Sequence, residues 1–139
     1  MKVYTIGYGG RSKEDFLSLL KAHGVPTVVD IRLRPDRSSM GIWAKAKTSD
    51  KGIESWLAEA GVAYHSLIEL GNIFLECPDW RPRFKQLLET SGDLLTQRLM
   101  EMPEPFCLLC AEKKALECHR YVVAEYLAKH KGAEVCHLE

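Results

Sequence analysis

The chain has 139 residues, 46% of them hydrophobic and 27% charged, with 19 Lys and Arg against 19 Asp and Glu. That length suits one domain, 1–139, and the apolar share excludes a disordered polymer. Zero formal net charge excludes a global field that would draw the protein onto nucleic acid or an anionic membrane, so any anion binding must come from a local cluster of Arg and Lys.

Met1-Lys2-Val3-Tyr4-Thr5-Ile6-Gly7 reads directly as a strand, without the apolar stretch of a secretory signal. No run of about 18 apolar residues predicts a transmembrane helix. Five cysteines is an odd number, which fits a reduced, cytoplasmic protein better than a disulfide framework. After the turn Gly7-Tyr8-Gly9-Gly10, Ser12 can cap a helix with Asp15 three residues on. Phe16, Leu19, Leu20 and His23 recur at helical spacing, and Gly24 with Pro26 ends the helix. Thr27 to Ile31 is a β-branched second strand.

Residues 32–49 are a long basic segment, and a loop of that length in a small domain is expected to be functional or mobile. A helix follows from Asp50 to Ala60, then a third strand from Val62 to Ser66 and a loop from Leu67 to Asp79. Helices are predicted over 80–89 and 92–102. Phe106-Cys107-Leu108-Leu109-Cys110 is a fully apolar run suited to a central strand covered on both faces. Glu117 to Lys131 reads as a helix with His119 on its apolar stripe, and Glu134 to Leu138 as a last strand. Strands alternating with helices predict an α/β domain with a mostly parallel five-stranded sheet and helices on both faces. The preferred arrangement is Rossmann-like, order 3-2-1-4-5, with a ligand outside the strand carboxyl ends where β1 and β4 meet.

Three groups should converge there. Gly7 and Tyr8 follow the first strand, and glycines at that place could let a backbone approach a phosphate, although a tight turn is the plainer reading. Asp30 and Arg32 close the second strand. Cys110, Glu112 and then Cys118, His119 and Arg120 follow the fourth. Cys107-x-x-Cys110 resembles a redox pair, but residues three apart on a strand point to opposite faces, so Cys107 is expected in the core. Cys118 in the first turn of a helix, with Arg120 beside it, has the surroundings that favour a thiolate. His119 is placed to act as a base, or else as a packed histidine between inert thiols. Zinc is the rival use of Cys110, Cys118 and His119, although adjacent ligands suit one tetrahedral ion poorly. Arg32, Arg34, Arg37, Arg81 and Arg120 are the candidate anion clamp, with Arg37, Lys45 and Lys47 expected to be merely solvated. Trp43 and Trp80 are expected in core or lid packing. Glu69 and Glu112 add carboxylates within possible reach of a pocket.

Thr5-Ile6-Gly7-Tyr8, Val29-Asp30-Ile31-Arg32, Glu69-Leu70-Gly71, and Cys110-Ala111-Glu112 followed by Cys118-His119-Arg120 resemble domain-of-unknown-function family 488. The resemblance implies a compact bacterial or archaeal α/β domain and no established reaction, substrate or cofactor. This chain departs from it at Tyr8-Gly9, where many members carry His-Ser, and at Asn72, where many carry Gly.

The expected function is an enzyme acting on a small anionic or nucleotide-like ligand. Cys110 or Cys118 would be the nucleophile, His119 the base, Arg32 and Arg120 the anion clamp, and Glu112 a positioning group. The alternatives are a non-catalytic nucleotide or nucleic-acid binding module, which neutral charge disfavours, and a structural zinc site. Neither a membrane partner nor an oligomeric state is implied.

Overall fold

In a computed structural model, residues 1–38 and 41–139 are described. The strands are β1 Lys2–Gly7, β2 Thr27–Asp30, β3 Ala63–Ser66, β4 Phe106–Cys110 and β5 Glu134–Leu138. The helices are α1 Lys13–Ala22, α2 Gly52–Glu59, α3 Trp80–Leu95 and α4 His119–Lys131. All four strand pairings are parallel, in the order β3-β2-β4-β1-β5. The expected α/β class, five-stranded parallel sheet and neighbouring β1 and β4 are therefore present.

The detailed order differs from 3-2-1-4-5 in one respect: β1 and β4 exchange places, so that β4 packs against β2 and β1 against the edge strand β5. Burial explains the exchange. Every residue of β4 is buried, whereas β1 leaves Lys2 and Tyr4 only partly covered. The strand with the longest unbroken apolar run takes the centre, where both faces are dry.

Alternation along the strands sorts the core into two layers. Ile6, Val28, Cys107 and Leu109 face Phe16 and Leu20 of α1 and Ile53 and Leu57 of α2. Val3, Val29, Phe106 and Leu108 face Phe84 and Leu88 of α3 and Val123 and Leu127 of α4. Cys107 thus lies in the α1–α2 core, as its strand position predicts, and burial pushes its thiol pKa up. By the same alternation Cys110 turns toward the α3–α4 side.

Ser12 caps α1 as expected, its hydroxyl accepting from the Asp15 amide at 3.0 Å. Two expectations are corrected. In place of helices over 80–89 and 92–102, one helix runs through Ser91 and Gly92 to Leu95, followed by a single 3-10 turn at Leu99–Glu101. Gly92 is retained in mid-helix because α4 crosses there: a Cβ on Gly92 would overlap the Tyr126 ring. The last helix begins at His119 rather than Glu117, with Cys118 as its extended N-cap residue.

In the basic segment 32–49, Ser39 and Met40 lie outside the described residues. A 3-10 turn at Gly41–Trp43 drives Trp43 fully into the core. Its ring meets Phe16 and Trp56 edge-on and stacks on Tyr8 at 4.9 Å. Among the described residues, no helix is long and apolar enough to cross a membrane.

Candidate functional site

The loops after β1 and β4 close on each other. The Tyr8 amide donates to the Cys110 carbonyl at 3.2 Å, and the Gly9 amide to the Ala111 carbonyl at 2.8 Å. Gly7 has no room for a side chain, since a Cβ there would overlap the Glu112 carbonyl. The glycines therefore let two backbones meet, and the meeting point of β1 and β4 is filled. Open space lies on the other side of β4, above β2. This cavity of about 270 Å³ is lined by Tyr8, Arg32, Trp80, Cys110, Cys118 and His119, with Arg34, Arg37, Glu112 and Glu117 also bordering it.

Cys110 and Cys118 are joined in its wall as a disulfide, with sulfurs 2.00 Å apart. The expectation of free thiols is corrected at this pair, while Cys77, Cys107 and Cys136 remain free. One partner ends the central strand and the other opens α4, so the intervening chain, residues 111–117, folds back to bring them together.

His119 sits beneath the pair, on the stripe that faces the sheet. Its Nε2 lies 2.8 Å from the Ile31 carbonyl and its Nδ1 lies 3.6 Å from Cys118 Sγ. A carbonyl oxygen only accepts, so Nε2 carries the hydrogen and Nδ1 turns its lone pair to the sulfur. Phe84 packs edge-on to the ring at 5.5 Å. Burial lowers the imidazole pKa to about 4, so the ring is neutral at ordinary pH.

Arg32 is 7% exposed and forks onto Asp30, with Nη2 to Oδ2 at 2.7 Å and Nε to Oδ1 at 2.9 Å. Asp30 is also held by the Tyr64 hydroxyl. Burial opposes the Arg32 charge, and the Asp30 carboxylate more than offsets it, so the guanidinium pKa is raised. Nη2 also reaches the Trp43 carbonyl at 2.8 Å, which leaves Nη1 buried without a partner. The guanidinium lies 5.2 Å from the Tyr8 ring centroid, and burial with Asp30 beside it raises the Tyr64 pKa.

Arg120 is fully buried but lies behind the cavity wall. Its Nε donates to Thr5 Oγ1 at 3.2 Å, Nη2 to the Lys113 carbonyl at 3.0 Å, and Nη1 to the Glu112 carbonyl and to Cys110 Sγ at 3.2 Å. It therefore braces the β4–α4 loop against β1 and touches one sulfur of the pair. It does not sit beside Arg32 as a second arm of a clamp.

Two other expected groups fall away from the cavity. Glu69 is bound by Arg98 at 2.7 Å and 2.8 Å, and that contact lowers its carboxyl pKa. Arg81 donates to the Leu116 carbonyl, stacks on Trp80 and borders a separate groove between α3 and α4. Gly7 and Asp30 support the site from behind. Sequence reasoning missed Leu33, Leu75 and Glu117 as lining residues. Leu33 and Leu75 lie in loops with no periodicity to place them, although Gly71-Asn72 marked the turn that brings Leu75 over, and Glu117 ends a 3-10 turn, Ala115–Glu117, before α4. The Asn72 side chain makes that turn by accepting the Phe74 amide at 3.0 Å.

Among the described residues, Cys110, Cys118 and His119 form the only cluster that could hold a metal, with donor atoms within 4.8 Å of one another. The soft donors suit zinc, but with the sulfurs bonded to each other they are not free to ligate. His65 and His137 do not join the cluster; His137 Nδ1 lies 2.6 Å from Thr5 Oγ1 instead.

No curated protein and no solved structure matches this chain. A family model does match, over residues 12–127, which takes in Asp30, Arg32 and the whole segment from Cys110 to Arg120. The chain belongs to that family, the domain of unknown function DUF488.

Proposed function

We propose that the protein is an enzyme that performs thiol chemistry on a small anionic or nucleotide-like ligand held in the cavity between Tyr8, Arg32 and the Cys110–Cys118 pair. The observation that carries this reading is the arrangement at the wall: two cysteines close enough to bond, with a neutral histidine whose lone pair is fixed on one of them. A base oriented by a third group is the general pattern of an activated nucleophile. Anion preference rests on Arg32, whose buried Nη1 has no partner, and on Arg34 and Arg37 at the border. Tyr8 and Trp80 add aromatic surface to the cavity wall.

Paired alkylating agents test it. The reduced protein is treated with iodoacetate, an anion, and with neutral iodoacetamide, and each cysteine is quantified by mass spectrometry. The iodoacetate-to-iodoacetamide rate ratio at Cys110 or Cys118 is expected to exceed that at Cys77 at least tenfold, and Arg32→Met should abolish the excess. Equal ratios at all three cysteines would remove the anion site from the account.

A further inference from the structure

A cation as deeply buried as Arg120 needs a counter-charge, because desolvation of an unpaired ion is costly. Arg32 has Asp30. Among the described residues, the groups hydrogen-bonded to Arg120 are a hydroxyl, two carbonyls and Cys110 Sγ, with no carboxylate. Of these only the sulfur can become an anion near neutral pH, and it does so when the disulfide is opened. The unbalanced guanidinium and the bonded cysteines therefore bear on the same atom.

We propose that the protein is a thiol–disulfide oxidoreductase for small anionic disulfides, with Cys110 as the attacking thiolate paired to Arg120 and Cys118 as the resolving thiol beside His119. This inference rests on the thiol-enzyme reading and names its reaction and substrate class.

The reaction balances without further reagents. The Cys110 thiolate attacks one sulfur of R–S–S–R; the Cys110–S–R bond forms, the substrate S–S bond breaks and one RS⁻ leaves. Cys118 Sγ then attacks Cys110 Sγ, forming the disulfide seen here and expelling the second RS⁻. The Cys118 proton passes by way of His119 Nδ1 to that leaving thiolate. Two electrons move from the protein dithiol to the substrate, giving RS⁻ and RSH, and two equivalents of a monothiol reverse the process.

Other charges around Cys110 do not substitute for Arg120. Arg32 bonds to Asp30 and the Trp43 carbonyl and Arg34 to Asp36, not to Cys110 Sγ, and His119 is uncharged. Arg37 borders the cavity without touching either sulfur, as do the acids Glu112 and Glu117 and the phenol of Tyr8. Burial opposes the charge on Arg120; Cys107, Glu139 and Glu112 favour it only through space, and Arg11 opposes it. On β4 itself, Cys107 faces the opposite core, and burial raises its pKa and keeps it a thiol. The geometry also bears on the substrate: Cys110 and Cys118 are almost fully buried and line the cavity, which favours a small disulfide over a folded protein.

The test uses oxidised glutathione, a small anionic disulfide, with the full-length reduced protein. Wild type should form the Cys110–Cys118 disulfide and release two thiols. Cys118→Ser should accumulate a glutathione adduct on Cys110, whereas Cys110→Ser should accumulate at least tenfold less adduct on Cys118. Arg120→Lys should retain capture at pH 6, and Arg120→Met should slow it at least tenfold there while approaching the wild-type rate near pH 9.5. Adduct on Cys118 in preference to Cys110, or equal adduct on both, overturns the assignment. If Arg120→Met does not fold, the two cysteine variants still decide it. Failure here with a retained iodoacetate preference would leave the thiol enzyme standing and remove only the disulfide substrate.

Discussion

His119 Nε2 donates to the carbonyl of Ile31 across 2.8 Å, tying the first turn of α4 to the end of β2. That bond settles which ring nitrogen faces Cys118, and it places the imidazole where protonation is disfavoured. Burial holds its pKa at about 4, below the ordinary 6.5. A histidine lowered in the folded state costs nothing above the unfolded value, where it is neutral in both states. As pH falls from 6.5 toward 4 the unfolded chain takes the proton first, so stability drops by up to about 3 kcal/mol. Urea unfolding at pH 7.5 and pH 4.5 should show this fall, and His119→Gln should flatten it.

Asp30 is expected to be the most sensitive polar position behind the site. Asp30→Asn leaves the Arg32 guanidinium buried beside a neutral amide, with one oxygen in place of the two that accept from Arg32 and Tyr64. Breaking one partner of a buried pair typically costs about 3–5 kcal/mol. Chemical denaturation of the variant should report a loss in that range.

Gly7→Ala should be severely destabilising for a reason unrelated to backbone conformation. The added methyl would overlap the Glu112 carbonyl and crowd Arg120 Nη1, and a backbone atom cannot swing aside as a side chain can. A loss of about 3 kcal/mol or more follows from such overpacking. A native-like unfolding midpoint would show that the β4–α4 loop is looser than described.

Glu69 belongs to the recognised sequence pattern yet lies away from the cavity, ion-paired with Arg98 at the surface. Exposed pairs of this kind contribute little to stability. Glu69→Gln should leave both the unfolding midpoint and the alkylation rates of Cys110 and Cys118 unchanged, and a changed rate at either thiol would place Glu69 in the working site.

The layers of this fold were legible because they rest on periodicity. Alternation in β4 sent Cys107 to one core and Cys110 toward the other, and the Ser12 cap and Gly24 stop marked α1. The exchange of β1 and β4 was not legible, because the two strands differ only in how completely each is covered. The continuous α3 was missed because Ser91-Gly92 carries a local stop signal that contact with Tyr126 overrides. In the site, the convergence of Cys110, Cys118 and His119 followed from strand ends and a helix start. The division of labour between the arginines did not. Arg32 and Arg120 look alike in sequence, but one is held by Asp30 and the other is aimed at a sulfur.

The most direct measurement is the alkylation rate of each cysteine in the reduced native protein as a function of pH, read residue by residue by mass spectrometry. Cys110 should titrate well below the reference thiol value of about 8.5 and react fastest at pH 6, with Cys107 inert throughout. A Cys110 that titrates at or above that reference, or reacts no faster at pH 6 than Cys77, would contradict the account.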